Sequence, residues 1–247
     1  MSVFYYLKSN VLKVKKFYIQ KHKYSMNNLL KQIAECVEFG KVNLASPYPP
    51  QMKGQEGADE LTRKALDEGI SPAQILNEGL VAAMAIVGQK FSENKIFVPQ
   101  MLLSAKAMSA AMTHLKPYFS SGAITKKGTV IVGTVMGDLH DIGKNLCAMM
   151  IEGAGYEIID MGVDVKPQQF ADALKQHPGA IIGVSALLTT TMVNIEPVIN
   201  AVRVVDPDCK VMVGGAPLNA DFAKKIGADF YGKDPQAGIN YLNSQVA

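Results

Sequence analysis

The stretch Gly137-Asp138-Leu139-His140-Asp141-Ile142-Gly143-Lys144-Asn145 brings an imidazole, two carboxylates, an amine and two glycines into nine residues. Asp138 and His140 are two apart, so in an extended turn both side chains emerge on one side. A carboxylate that accepts a hydrogen bond from one ring nitrogen fixes the tautomer and aims the other nitrogen at a metal. One protein ligand is too few for a bare ion, but it suffices when a macrocycle supplies the remaining bonds. The competing reading makes His140 an ordinary loop histidine and Asp141 the N-cap of the next helix, and Asp-x-His alone does not displace it. Nucleotide chemistry fits worse. A phosphate loop needs G-x4-G-K-[ST], whereas five residues separate Gly137 from Gly143 and Asn145 follows Lys144. A G-x-G-x-x-G fingerprint is absent, and a phosphorelay receiver would want its acceptor Asp where Ser185-Ala186-Leu187 stands.

The elements that must hold this loop are legible around it. From Gly128 onward, short apolar runs alternate with helical patterns. Strands are predicted at Thr129–Val135, Glu157–Asp160, Ala180–Ser185, Lys210–Val213 and Asp229–Tyr231. Helices are predicted near Ile142–Gly153, Pro167–Gln176, Met192–Val205, Asp221–Ile226 and Pro235–Ser244. Such alternation implies a parallel sheet covered on both faces. Five strands over this length predict the flavodoxin-like (Rossmann-like) order 2-1-3-4-5, which binds ligands outside the carboxyl ends of strands 1 and 3. Gly137–Gly143, Ser185–Thr191 and Gly214-Gly215 all fall at such ends.

Upstream, residues 26–117 read as a four-helix bundle. Leu29, Ile33 and Val37 form one stripe that stops at Gly40. Glu60 to Leu66 reads as a second helix, stopping at Gly69. Ser71-Pro72 is a cap with a first-turn proline, opening a third through Leu76, Leu80, Met84 and Val87. Pro99 opens a fourth, which Pro117 is expected to close. Residues 118–127 are then a linker and 128–247 the sheet domain.

Composition narrows the function. The net charge of +3 conceals a split: residues 1–25 hold six lysines and no acid, which leaves residues 26–247 at −3. A mildly acidic body argues against a nucleic-acid footprint. The basic, aromatic arm reads as a dispensable extension, with Met26 as the natural start, or as a surface helix. No apolar run reaches the roughly 20 residues that a transmembrane helix needs. Cys36, Cys147 and Cys209 are scattered, as are the four histidines, so neither disulfide nor zinc spacing exists. A reducing, cytoplasmic compartment is expected.

Asp138-x-His140-x-x-Gly143, then Ser185-x-Leu187, then Gly214-Gly215 resembles the cobalamin-binding domain shared by methionine synthase, B12-dependent mutases and corrinoid methyl-carrier proteins. The resemblance implies His140 as the lower axial ligand of cobalt, hydrogen-bonded to Asp138, with Thr191 completing a carboxylate–histidine–hydroxyl relay. Gly137, Asp141, Ile142 and Gly143 would complete the loop around the cofactor. Ser185, Leu187, Thr189, Gly214, Gly215 and Ala216 would line a slot for its displaced nucleotide tail, where glycines allow close backbone approach. Independently, Phe91 to Met101 is similar to the methionine synthase cap, which places Phe91, Val98 and Met101 against the upper face. Asn94 stands where that family commonly has Gly, and it requires a positive φ there. The implied protein is a corrinoid methyl carrier of the anaerobic methyltransferase systems. A substrate-specific methyltransferase would load Co(I), and an acceptor methyltransferase would pass the methyl group of methyl-Co(III) to a thiol or tetrahydrofolate. A reductive activase would serve both. The rivals are a cobalamin-dependent light or B12 sensor lacking its DNA-binding domain, and a corrinoid storage protein.

Overall fold

The structure is a computed structural model that describes residues 26–245; the basic arm lies outside the described residues. The first helix, residues 26–39, buries Leu29, Ile33 and Val37 on one stripe and ends at Gly40. That glycine has φ +74, the left-handed exit a glycine makes at no steric cost. The second helix, Ala58–Asp67, begins where Glu60 accepts a hydrogen bond from the Gly57 N–H at 2.9 Å. The third spans residues 72–92, with a wider π-turn segment, Ile75–Val81, and the Ser71 hydroxyl accepting from the Gln74 N–H at 3.2 Å. Val98–Ser120 is the fourth. Asn94, in the turn between the last two, has φ +57.

One expectation fails here. The fourth helix does not stop at Pro117 but runs to Ser120 with the proline inside its last turn. A proline ring holds φ at a helical value and removes one N–H. Near a helix end only one backbone bond is lost, and the turn still closes through Ser121 N to Pro117 O at 3.1 Å. Residues 118–120 are therefore helix, not linker.

The sheet has five parallel strands: β1 (Thr129–Thr134), β2 (Glu157–Asp160), β3 (Ile181–Ser185), β4 (Val211–Gly214) and β5 (Phe230–Gly232). Their order is β2-β1-β3-β4-β5, as the alternation predicts. Register pairs Thr134 with Ser185 and Ser185 with Gly214, so the three chemically loaded loops leave the sheet side by side. The helices are Ile142–Gly153, Pro167–Gln176, Ile195–Val205, Ala220–Lys225 and Pro235–Gln245. A 3-10 turn, Met192–Asn194, precedes the third of these.

Two apolar layers flank the sheet. On one face Phe170, Ile199 and Val202 pack against Ile131 and Ile182. On the other, Ile33, Leu80, Met84 and Leu115 of the bundle are continuous with Val130, Val132, Met150, Ile151 and Leu242. The helices Ile142–Gly153 and Pro235–Gln245 are thus sandwiched between sheet and bundle. The connection is pinned as well: Ile124 is buried, and the Lys127 N–H donates to the Gly155 carbonyl at 3.0 Å.

Gly153 is a point where the bundle presses close, since a Cβ there would stand 2.9 Å from Met84 Cε and 3.0 Å from its Cγ. Replacing Gly153 by Leu improves helix propensity but overfills this contact, at a cost of about 1–3 kcal/mol. The expected outcome is faster limited proteolysis within residues 121–127 while the helical circular dichroism is retained. Wild-type proteolysis rates would show that the bundle and sheet do not depend on this contact.

Candidate functional site

Asp138 is the fixed point of the loop after β1. Its side chain is 0% exposed and accepts four hydrogen bonds. Oδ1 takes His140 Nδ1 at 2.7 Å and the His140 N–H at 3.1 Å. Oδ2 takes the Leu187 N–H and the Thr191 hydroxyl, each at 2.7 Å. Burial by itself would push the Asp138 carboxyl up. The Leu187 amide, the Thr191 hydroxyl and His140 outweigh it and hold the group well below the usual carboxylate range. Asp138 is therefore an anion, and Nδ1 of His140 is the protonated ring nitrogen. Nε2 is the ring nitrogen not engaged by Asp138, on a ring that is 50% exposed.

The backbone around this pair is held from several sides. The Thr134 hydroxyl donates to the His140 carbonyl at 3.0 Å. Asn194 Nδ2 donates to the Met136 carbonyl at 2.8 Å. Gly137, with φ +82, donates its N–H to Asp164 Oδ1 at 2.7 Å. Asp141 stands at the N-cap of the next helix, but its side chain makes no capping bond and accepts instead from Asn145 Nδ2 at 3.0 Å. Lys144 is not free for a phosphate. Its side chain is 3% exposed and closes a bidentate pair with Asp160 at 2.6 and 2.7 Å.

A cavity of about 920 Å³ opens beside the His140 ring and runs between the carboxyl halves of β3, β4 and β5 and the helices that cover them. Ser185, Leu187, Gly214, Gly215 and Ala216 line it, as do Asp141, Ile142, Gly143 and, from the bundle, Phe91. Glycine makes this wall possible. A Cβ on Gly215 would stand 1.8 Å from the Ala186 carbonyl oxygen, and its φ of +134 disfavours any L side chain. Cys147 also faces the cavity. Burial, then the Asp234 carboxylate, push its thiol up to about 11, so near neutral pH it is not the thiolate that binds metals.

Six of the expected site residues lie away from the cavity lining, Gly137 and Asp138 of the His140 turn among them. Thr191 is buried under Asp138, and Thr189 is exposed on the loop. Met101 is 0% exposed inside the bundle core, and Val98 is on the bundle surface. Sequence reasoning overlooked Gly183, Tyr231 and Gly238 in the wall. A glycine interrupting the apolar run of β3 was the available signal, as was the carboxyl end of β5. It also overlooked Asp164, whose positive φ is invisible in a sequence.

Comparison with known proteins gives the arrangement its relatives. A B12 binding domain model matches residues 128–240, and a second B12 binding domain model matches residues 54–116. Trimethylamine corrinoid protein 1 of Methanosarcina acetivorans is 41% identical over 184 residues, 72% of this chain and 85% of that protein. Dimethylamine corrinoid protein of Methanosarcina barkeri is 35% identical over 218 residues, 87% and 96% of the two chains. The crystal structure of the methanol:cobalamin methyltransferase complex from Methanosarcina barkeri contains a chain that superposes with a TM-score of 0.75 at 25% identity, covering 89% of this chain and 80% of that one. Among the described residues no helix is long and apolar enough to cross a membrane.

Replacing Asp138 by Asn keeps the shape but turns an amide N–H₂ toward groups that all donate. The expected cost at pH 7 is about 2 kcal/mol, from one buried clash of donors and the lost charge. The folded-state pKa of Asp138 is depressed, so its contribution is present above the ordinary value near 4 and is lost as the pH falls below it. The urea-unfolding difference between wild type and Asp138→Asn should therefore shrink below about pH 4. A difference independent of pH would refute the charge assignment.

Proposed function

The chain belongs to the family of cobalamin-binding corrinoid proteins, and from that premise we propose that it carries a methyl group between two partner methyltransferases. Cobalamin is its cofactor. When bound, that group would supply the cobalt that accepts and gives up the methyl group. The observation that carries the reading is the ring of His140, whose Nδ1 is committed to an ionised Asp138 and which lines a large, glycine-walled cavity.

In this reading His140 would hold the cobalt through Nε2. Asp138 and Thr191 keep a proton on Nδ1, which raises the basicity of Nε2 and fixes the plane of the ring. Ser185, Leu187, Gly214 and Gly215 hold the nucleotide tail in the cavity. Phe91, reaching the cavity from the bundle, excludes water from the metal's surroundings. The bundle moves on its connection at residues 121–127 to admit each partner, and a reductive activase restores the active oxidation state. The relatives named for trimethylamine and dimethylamine favour methylated amines as the donor class.

Two measurements test this. Purified protein loaded with cobalamin should accept methyl groups from a methylamine-specific methyltransferase and not from a methanol-specific one. Replacing His140 by Gln should move the visible spectrum of the bound corrinoid away from histidine ligation and slow methyl transfer by at least tenfold, the equivalent of about 1.4 kcal/mol. An unchanged spectrum would remove His140 from the metal.

A further inference from the structure

Asp164 lies in the connection after β2, not in the loop that carries His140. It is one of two non-glycine residues among the described residues with positive φ, at +54. Such a conformation is uncommon for a non-glycine residue, and Asp and Asn tolerate it best. Two contacts compensate for it. The Asp164 carboxylate accepts the Gly137 N–H at 2.7 Å, and its own N–H donates to the Asp138 carbonyl at 3.1 Å. The same segment is laced onto β1 on both sides, with the Thr134 N–H donating to Gly162 at 3.0 Å and the Val165 N–H to Thr134 at 2.9 Å.

We propose that Asp164 is a positioning residue for the Asp138–His140 pair: it clamps the backbone of Gly137 and Asp138 from the neighbouring crossover and so sets the direction of His140 Nε2. The inference rests on the reading of His140 as a metal ligand for its consequence, but not for its geometry. Gly137 has φ +82 and no side chain, so within the turn only the Asp138 N–H to Val135 carbonyl bond at 3.1 Å restrains its backbone before Asp164 is added. The Asp138 carboxylate can keep its four partners only if its Cα stays in place, and Asp164 is the side chain that holds the backbone on the far side of that residue from Leu187 and Thr191.

Three variants separate the two contributions. Asp164→Asn keeps both a tolerated positive φ and an acceptor oxygen. Asp164→Gly keeps the φ and loses the acceptor. Asp164→Ala loses both. In the cofactor-free protein, amide hydrogen exchange at Gly137 should stay slow in Asp164→Asn and become at least tenfold faster in Asp164→Gly and Asp164→Ala, as expected when a hydrogen bond to a charged acceptor is lost. In protein loaded with cob(II)alamin, the histidine nitrogen splitting of the electron paramagnetic resonance signal should persist in Asp164→Asn and weaken in the other two. Exchange and splitting unchanged in all three variants would overturn the proposal, as would Asp164→Asn behaving like Asp164→Ala. If Asp164→Ala does not fold, the comparison of Asp164→Gly with Asp164→Asn still decides. Absence of nitrogen splitting in the wild type would instead sink the metal-ligand reading, while the exchange measurement would still judge Asp164.

Discussion

A carboxylate removed from water and surrounded by four donors governs this structure. An isolated buried anion would cost several kcal/mol, so Asp138 can be buried only because its partners are in place. Two of them, Leu187 N–H and Thr191 Oγ1, belong to the loop after β3. The other two belong to His140, in the loop after β1. The anion is therefore a bridge across the switch point, and it can exist only in a sheet that places β1 beside β3. Sequence order alone would leave these residues 49 and 53 positions away from it. Strand order, loop conformation and imidazole tautomer are consequently one constraint. Breaking any of them leaves a buried charge short of partners.

The second constraint is space. A cavity of about 920 Å³ beside a five-stranded sheet is stable only if its walls are made by backbone where side chains would collide. Gly215 does this at the end of β4, against the Ala186 carbonyl, and Gly183 does it within β3, where a Cβ would stand 3.1 Å from Val132 Cγ1. The bundle closes the layer on the same side. Its core is continuous with that of the helices Ile142–Gly153 and Pro235–Gln245, one of which begins at the ligand loop. Displacing the bundle thus exposes apolar surface at Met84, Met150 and Ile151 and releases Ile124 from its seat. That surface sets an energetic cost on any separation of bundle and sheet.

Much of this was legible because it is periodic or chemical. Alternating apolar runs located five strands, with bounds off by one residue in all but β2, and the loops followed from topology. Asp138 and His140 could be paired because a two-residue spacing in a turn has few outcomes. What escaped was set by tertiary context. Pro117 breaks helices by rule, yet a proline in a last turn forfeits one bond, and the bundle keeps the helix intact. Asp141 has the residue type of a cap, but Asn145 offers its carboxylate a closer donor. Met101 sits on the helix that the resemblance assigns to the cofactor's upper face, yet packing turns it into the bundle. Asp164 has no periodicity and no motif; only its φ and its two hydrogen bonds identify it.

Apolar surface around the ligand loop completes the case that a large group covers it. Leu139 is 73% exposed and Ile142 is 78% exposed, on either side of a half-exposed imidazole. Leu187 and Leu188, across the switch point, are also open. A single exposed leucine needs no explanation, but several around one metal-capable nitrogen do. Water gains nothing from contact with them, and no helix of the bundle is placed to cover them all. A broad, largely apolar group lying on this rim would remove them from water at about 25 cal/mol per Å². Such a rim also needs a rigid loop. A flexible loop would let Leu139 and Ile142 collapse into the open cavity, and Nε2 would lose the geometry that the buried anion maintains.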